Sequence, residues 1–325
     1  MFPLASKASI GALIERLESL QDGASAVADL IASGPTAVGP LRTFLLKGRP
    51  RSTYEPRRWA VEALGALGRK DILIEFLSQR KDICDSAVRF AEDAVENAAA
   101  MELARWKTDD VFCFLLRLTA QRIRVGFIRA LGEFTRTEAI PYFDKGLEDD
   151  LCRSAAEDAF RKLGSVAVRT LVLSATVAWP ASTDENPSSL RRRRSSITLL
   201  GDIGITKQDW RSLKALINES DVEIAVRTIA LGVRYVDACD GVSFSKRLVD
   251  ALDHSPWFLL DDISAALIDL APFSTAVIES AIQARTPHPL NAGLMALLRA
   301  RHRITTTNRR RGHELNLSRE GESAF

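Results

Sequence analysis

The chain has 325 residues, of which 46% are hydrophobic and 26% are charged, and its formal net charge is +2 at pH 7. These values are those of a folded protein with an ample core, and 18 glycines with 12 prolines exclude a collagen-like or wholly disordered chain. The charge is unevenly divided, because residues 299–325 hold seven arginines against three glutamates and so leave −2 for the remainder. The body of the chain is therefore not a basic nucleic-acid-binding domain by composition.

Helix pairs are predicted in chain order, beginning with one over residues 8–47. A twelve-residue helical phrase then follows and returns several times. Its copies are residues 57–68, 124–135, 153–164 and 193–204. Recurrence of one helical phrase every few tens of residues predicts a stacked solenoid, in which each unit contacts only its neighbours.

Each part of the repeated phrase has a predicted packing role. Val61, Leu64 and Leu67 recur at three- and four-residue spacing, which predicts one apolar stripe on a helix. Alanines on or beside that stripe allow a neighbouring helix to approach closely. The closing glycines are expected to end these helices in a left-handed conformation, and they are Gly68, Gly164 and Gly204. In the second copy Thr135 stands where the others have glycine.

A second amphipathic helix is predicted after each copy, at residues 71–79, 138–143, 165–177 and 206–218. Further pairs are expected at 221–253 and 256–286, with a last helix near 289–303. Residues 179–188 are rich in proline, serine and acidic residues, which predicts a loop or linker. We therefore divide the chain into repeats over 1–178, a linker over 179–188, repeats over 189–304 and a disordered basic tail over 305–325.

The string Arg-Arg-x-Ala-x-Glu-Ala-Leu-Gly-x-Leu-Gly with its following helix resembles HEAT-like repeats, especially the short type of phycobilin lyases and many bacterial proteins. The resemblance covers residues 55–165 and 190–218. It implies an all-α fold, an α-solenoid of stacked antiparallel helix pairs whose second helices line the concave side. Members of the family mostly bind proteins, while a minority act on chromophores or damaged DNA and one group is a metal-dependent hydroxylase.

No cofactor or metal site is predicted. The hydroxylase branch uses repeated His-Glu pairs to hold iron, whereas this chain has four histidines and a single such pair, His313-Glu314. The sequence contains no glycine-rich phosphate loop and no serine elbow. The cysteines lie in apolar helical runs without a CxxC pair, which predicts reduced core thiols at Cys84, Cys113, Cys152 and Cys239.

Trp106 and Asp110 are alternative base-binding candidates. Base-repair glycosylases built on HEAT-like repeats hold a cationic damaged nucleotide with a tryptophan and an aspartate, and an i,i+4 spacing on one helix would bring the two together. The competing interpretation, which we favour, is a helix junction at which Thr108 or Asp109 caps the following helix. The other tryptophans are expected to pack in the core or at a hinge.

Two arginine-rich segments are candidate partner-binding sites. Arg193 aligns with Arg57, Arg124 and Arg153, which predicts a structural ladder in which each pairs with an acid or carbonyl of a neighbouring repeat. The other arginines of that run are left as candidates for surface contact, as are those near the C-terminus. They are Arg191, Arg192 and Arg194, followed by Arg299, Arg301, Arg303, Arg309, Arg310 and Arg311.

The sequence therefore favours a non-enzymatic scaffold or regulatory subunit, bacterial and cytoplasmic, that binds a protein partner on the concave face of the solenoid. A nucleic-acid-binding or base-repair protein is the alternative, with the basic tail as a salt-dependent contact. A phycobilin-lyase-like enzyme is a weaker alternative. No signal peptide is seen, and the longest apolar run, 166–179, is too short to cross a bilayer, so no membrane contact is expected. The sign of the charge on the concave face should discriminate between the two main alternatives, because a continuous positive groove favours nucleic acid and a mixed one favours protein.

Overall fold

The computed structural model describes residues 9–48, 51–79, 83–180, 184–285 and 292–322, and within these ranges the fold is all-helical, as predicted. The chain forms two compact units, Met1–Ala167 (unit 1) and Val168–Phe325 (unit 2). The helices of unit 1 are α1 (Ile10–Leu17), α2 (Gly23–Ala32), α3 (Pro35–Lys47), α4 (Glu55–Ala66), α5 (Lys70–Ser78), α6 (Ser86–Ala104), α7 (Asp109–Gln121), α8 (Val125–Gly132), α9 (Ile140–Gly146) and α10 (Arg153–Leu163). The helices of unit 2 are α11 (Val168–Thr176), α12 (Pro187–Ile203), α13 (Lys207–Leu213), α14 (Val222–Gly232), α15 (Ala238–Ala251), α16 (Leu260–Asp269), α17 (Thr275–Ala284) and α18 (Ala292–Glu322).

Alternate helices of each unit lie side by side in a row. In unit 1, α2, α4, α6, α8 and α10 contact one another in that order, and in unit 2, α12, α14, α16 and α18 do the same. Most of the helices between them pack against the row as second members of a pair. We call α12, α14, α16 and α18 the first-helix row of unit 2. This order of contacts is the one that stacked helix pairs require.

The repeated phrase supplies the contacts within these rows. In α4, Val61 and Leu64 are fully buried, and Ala60 and Ala63 beside them are buried as well. The apolar stripe therefore faces the core, as predicted, and the alanines keep adjacent helices close because they add little bulk.

The predicted helix ends are confirmed at all three glycines. Gly68, Gly164 and Gly204 have φ angles of 73°, 63° and 90°, a region that costs glycine little and other residues more. Thr135 also has a positive φ, 51°. The copy that lacks glycine thus also passes through a positive φ after its helix.

The close approach of α6 and α8 depends on Gly126. A Cβ atom added at Gly126 would lie 2.4 Å from the Cα of Asn97, and the Asn97 side chain accepts a hydrogen bond from the Gly126 amide at 3.0 Å. Gly126→Ala is therefore expected to lower the free energy of unfolding by roughly 2–3 kcal/mol, since backbone must move to admit the methyl group. Gly39→Ala on α3 meets no other part of the chain, and its gain in helix propensity is opposed by the following Pro40, so it should change the free energy of unfolding by less than about 1 kcal/mol. Urea unfolding of both variants checks this, and equal midpoints would contradict the packing described for α6 and α8.

The segment 179–188 lies within unit 2 and its ends are joined. The Asn186 amide donates to the Trp179 carbonyl at 2.9 Å, and the Trp179 amide donates to Ser189 Oγ at 2.9 Å. Helix α12 already begins at Pro187. Residues 181–183 lie outside the described part of the chain. The predicted loop is therefore closed at its base.

The end of the chain differs from the prediction. We expected no fixed structure after Thr305, but α18 continues to Glu322. The hydroxyls of Thr305, Thr306 and Thr307 donate to carbonyls one turn earlier, at 2.7–2.9 Å. A polar composition indicates that a segment has no apolar face to bury. A helix is also held by hydrogen bonds of its own backbone and of threonine hydroxyls, which composition does not reveal.

The cysteine prediction is wrong for three of the four residues. Cys152 is buried, and burial with the nearby Asp149 carboxylate raises the pKa of its thiol to about 12. Cys84, Cys113 and Cys239 are exposed. Cys84 precedes α6, and the helices of Cys113 and Cys239 bury other faces, because apolar neighbours in sequence do not fix which side of a helix a residue occupies. All four thiols are free.

Candidate functional site

Buried arginines join neighbouring repeats, as the alignment of the phrase predicts. Arg57 of α4 is 6% exposed and contacts Glu92 of α6 through both terminal nitrogens, while Nη2 also donates to the Leu45 carbonyl at 2.9 Å. Arg124, before α8, pairs with Asp93 and Glu96 of α6. Each of these ion pairs spans two helices of the row and fixes their register.

Arg193 occupies the corresponding place in unit 2 and confirms its predicted structural role. It is 2% exposed, and its guanidinium lies 2.5 Å from Glu185 and 3.1 Å from Glu219. Its Nε donates to the Ala175 carbonyl at 2.9 Å. Arg153 departs from the pattern, because it is only half-buried and pairs with Asp150 in the preceding turn.

The other members of the arginine run are largely engaged within the protein. Arg192 was a candidate for surface contact, but it is 4% exposed and lies 3.9 Å from the centroid of the Trp179 ring, where its Nη2 donates to the Val177 carbonyl. Arg194 pairs with Asp221 and Glu223 of the next repeat, and its hydrogen bond to Asp221 raises its pKa. Arg191 is half-buried and donates to Ser188 at 3.0 Å.

The prediction of surface contact is wrong for Arg192, and the geometry of a helix explains why. Four consecutive residues point to all sides of a helix, so at least one of them must face the protein interior. The side that becomes interior is decided by the Trp179 loop, which the helical periodicity of α12 does not reveal. The arginine run therefore serves mainly to join neighbouring segments of the protein, and only in small part to offer a contact surface.

An open groove lies across the first-helix row of unit 2. Its main part has a volume of about 530 Å³ and is bordered by α12, α14 and α16. A second hollow of about 380 Å³ continues it between α16 and α18, and both are lined by Ala265 and Asp269. We call the two together the row groove. It crosses four successive helices of one unit, so it presents side chains from four repeats to one ligand.

The row groove is built from equivalent positions of the repeats. In three successive repeats the residues at i, i+3 and i+7 lie along it, starting on α12, α14 and α16. The sets are Thr198, Gly201 and Ile205; Arg227, Ala230 and Arg234; and Asp262, Ala265 and Asp269, while α18 contributes His302 and Thr306 at the end of the row. Ile205 follows the end of α12, and Arg234 lies in the short 3-10 helix Val233–Tyr235 after α14. The middle positions of the first three helices are glycine or alanine, so the floor of the groove is low and lacks polar side chains.

On the edge of the groove formed by the first residue of each set, the charged side chains already pair with residues of the protein itself. Arg227 contacts the Thr198 hydroxyl, lies 3.2 Å from Glu223 and 3.9 Å from Asp262. At the end of the row Arg299 lies 3.5 Å from Asp261. These charges are already neutralised between repeats, so this edge continues the arginine ladder.

The opposite edge carries charges that have no partner among the described residues. Arg234, in the 3-10 helix after α14, and Asp269 of α16 are both exposed, and neither forms an ion pair or side-chain hydrogen bond within the described chain. Arg303 of α18, about one turn before Thr306, is exposed in the same way. Beside them Tyr235 donates its hydroxyl to the Ile205 carbonyl and its ring stacks on Trp210 with centroids 6.4 Å apart. The groove thus offers fixed apolar surface together with unsatisfied charges of both signs.

The C-terminal arginines lie on α18 and so on the end of this row. Arg299, Arg301 and Arg303 are exposed, and Arg299 is the member with an ion pair among the described residues. Arg309, Arg310 and Arg311 lie in the helical part of α18, but their side chains are outside the described residues. Of the predicted tail candidates, Arg303 is therefore the one that the structure brings to the groove.

Trp106 and Asp110 do not share a helix. Trp106 follows the end of α6, Asp110 lies in the first turn of α7, and Lys107 between them has a φ of 53°. Asp110 accepts a hydrogen bond from Lys70 at 2.7 Å, which together with a hydrogen bond from Thr108 lowers its pKa to about 2. Thr108 occupies the cap position of α7, although its side chain makes no hydrogen bond to the helix amides. The predicted helix junction is confirmed, and the carboxylate of Asp110 is already engaged.

The tryptophans divide into three environments. Trp59 and Trp210 are buried, as predicted, and Trp179 packs on Arg192 at the closed loop. The prediction of a packing role is wrong for Trp257, which is 83% exposed beside Phe258 at the start of α16. Trp257 stands in a short 3-10 helix before α16, where the apolar periodicity of the helix does not apply.

The residues that line the row groove were missed by sequence reasoning. Arg227 fits no position of the repeated phrase cleanly, and Arg234, Asp262 and Asp269 look like ordinary surface charges. A usable signal exists in the shared i, i+3, i+7 spacing with a small middle residue, but it becomes visible only once the helices are in register.

Other kinds of site find no support in the described part of the chain. No group of three or more histidine, cysteine, aspartate or glutamate side chains is placed to hold a metal ion there. Among the same residues, no helix has the length and apolar character needed to cross a membrane. His288 lies outside the described residues.

Comparison with known proteins does not identify the chain: no family model matches it, and the search of curated proteins found no match.

Proposed function

We propose that this is a HEAT-like repeat protein that binds a protein partner in the row groove of unit 2 and catalyses no reaction itself. The groove lies on the first helices of the repeats, whereas the resemblance to HEAT-like repeats led us to expect the partner on the concave side, which the second helices line. The observation that supports the proposal is the mixed charge of the groove above a floor of small residues. Arg234, Asp269 and Arg303 alternate in sign along one edge, and Gly201, Ala230 and Ala265 form the floor. Protein interfaces commonly combine a close-packed apolar centre with a polar edge of both signs.

The charge pattern favours protein over nucleic acid as the ligand. A polyphosphate backbone is bound by arginine and lysine side chains that displace counterions, and carboxylates along its path repel it. Asp262 and Asp269 lie on one helix of the groove, one on each edge. A nucleic-acid strand laid across the row would therefore meet the unpaired carboxylate of Asp269 on one edge, while Asp262 on the other edge already holds Arg227.

The base-repair alternative finds little support at its proposed site. Asp110 is occupied by Lys70, and Trp106 lies beyond the end of a different helix. A carboxylate that holds a cationic base must be free to face it. The row groove is the better candidate for ligand binding.

Gly201→Trp is the variant that tests the proposal. The space around a Cβ atom at Gly201 is open, so the indole should fill the groove floor without disturbing the core, and removal of a helical glycine adds helix propensity. We expect capture of the native partner from cells of the source organism to fall by at least about tenfold, as expected when a central interface position is blocked. Quantitative mass spectrometry of the captured proteins measures this.

Gly39→Trp is the matched control, because Gly39 is also an exposed helical glycine with open space but lies on α3 in unit 1. It should capture the partner as well as the unaltered protein does. Equal capture by the two variants would contradict a partner site in the row groove. Nuclease treatment before capture and a titration with duplex DNA at rising salt form the second arm, in which DNA binding that is lost in Gly201→Trp would favour nucleic acid instead.

A further inference from the structure

The three unpaired charges of the row groove define the kind of protein segment that fits it. Resting on the proposed function, we propose that the occupant is an amphipathic α-helix that presents a carboxylate, a cation and a carboxylate at positions i, i+7 and i+14. These would pair in turn with Arg234 just after α14, Asp269 on α16 and Arg303 on α18. The bound segment is thereby defined by its secondary structure and by the order of its charges, neither of which follows from mixed charge alone.

A helical occupant is favoured by the hydrogen bonding of the groove. The surface of the groove is made by helices, whose backbone groups are already bonded within each helix. An extended segment would bring its own amides and carbonyls into the groove without partners, whereas a helix satisfies them itself. Helices that lay an apolar face into a groove are a common mode of peptide recognition.

The floor of the groove suits a helix that crosses the row. Gly201, Ala230 and Ala265 occupy equivalent positions of three successive helices and lack long side chains. A crossing helix can therefore approach closely and place its own small or apolar residues against them. On a helix the residues at i+3, i+4, i+10 and i+11 lie on the same face as those at i, i+7 and i+14.

The spacing of the charges matches the rise of a helix. Packed helices lie about 8–10 Å apart, so charges carried by successive repeats of the row are expected to recur at about that interval. A helix advances about 10.5 Å in seven residues, which places side chains seven apart at nearly the same interval. The required order of charges is identical when read in either direction, so it does not select the direction of the bound chain.

Two synthetic helical peptides test the inference directly. One carries Glu, Lys and Glu at i, i+7 and i+14 on an otherwise alanine-rich face, and the other carries Lys, Glu and Lys there. Compensating charges on the far face give both the same net charge, and circular dichroism confirms equal helicity. Because three ion pairs at a partly exposed edge are replaced by three like-charge contacts, we expect the full-length protein to bind the Glu-Lys-Glu peptide about tenfold more tightly at low salt.

The reversed protein provides the matched test. In the triple variant R234E, D269K and R303E, the preference should invert toward the Lys-Glu-Lys peptide. The three residues are exposed and unpaired among the described residues, so the variant should keep the native circular dichroism and melting transition. The single variant Asp269→Lys, which should lose most of the discrimination, serves if the triple variant does not fold.

Several results would overturn the inference. These are equal affinity for the two peptides, a preference of the unaltered protein for Lys-Glu-Lys, no binding of either peptide at millimolar concentration, or an unchanged preference in the reversed protein. If one of these results is obtained while Gly201→Trp still loses partner capture, the helical occupant with its charge pattern is rejected. The row groove then remains the binding site. Capture that is indifferent to Gly201→Trp would instead reject the groove itself.

Discussion

Replacing Arg57 with alanine is expected to lower the free energy of unfolding of unit 1 by about 3–5 kcal/mol, because it removes the guanidinium that pairs with a buried carboxylate. Glu92 is 4% exposed and receives both terminal nitrogens of Arg57. The change also leaves the Leu45 carbonyl without its arginine donor and removes the packing of the guanidinium near the Phe76 ring, 5.3 Å from its centroid. Urea unfolding followed by circular dichroism measures the loss.

Arg58→Ala is the control for this prediction. Arg58 is the next residue of the same helix, but its side chain is 41% exposed and it lies 3.8 Å from Glu62 one turn away. An exposed pair of this kind contributes roughly 0.5 kcal/mol or less, so the midpoint should scarcely move. Equal unfolding midpoints for Arg57→Ala and Arg58→Ala would show that the buried ion pair does not hold α4 to α6.

Replacing Arg193 with alanine is expected to destabilise unit 2 by about 3 kcal/mol, near the lower end of the range for a broken buried ion pair. Arg193 joins Glu185 before α12, Glu219 before α14 and the Ala175 carbonyl of α11. The two carboxylates keep 18% and 27% of their side-chain surface exposed, so water offsets part of the loss. Hydrogen exchange should accelerate most at the N-terminal ends of α12 and α14.

Arg191→Ala provides the comparison for Arg193. Arg191 belongs to the same run of four arginines and is half-buried, with a hydrogen bond to Ser188 in the preceding turn. Its removal should cost about 1 kcal/mol or less, as is usual for a half-buried side chain. If the two variants unfold at the same urea concentration, the ladder role of Arg193 is wrong.

The fold follows from features that are local in sequence. Apolar stripes such as Val61 and Leu64 and closing glycines such as Gly68 depend on a few neighbouring residues, and the structure confirms them. Arg193 could be predicted because it recurs with Arg57 and Arg124 at one position of the phrase. The repeated phrase therefore describes the scaffold and its internal ion pairs.

The candidate site depends on relations that span repeats. Arg234, Asp269 and Arg303 line one groove only when the repeats that carry them are stacked in register, and each looks like an ordinary surface charge in its own segment. The burial of Arg192 likewise could not be predicted from its own helix, because it depends on the loop that carries Trp179. Helical periodicity gives the face that a residue occupies, while the neighbour on that face comes from tertiary packing.

Site-specific photocrosslinking from Ala230 tests the central claim most directly, because this exposed residue lies in the middle of the row groove. A photoreactive phenylalanine analogue placed there, and irradiated in cells of the source organism, should yield a covalent adduct with one partner polypeptide. The adduct should be lost when Gly201→Trp is added, and the same analogue at Gly39 should not produce it. Absence of a protein adduct at Ala230, the same products from both positions, or crosslinking to nucleic acid alone would contradict protein binding in the row groove.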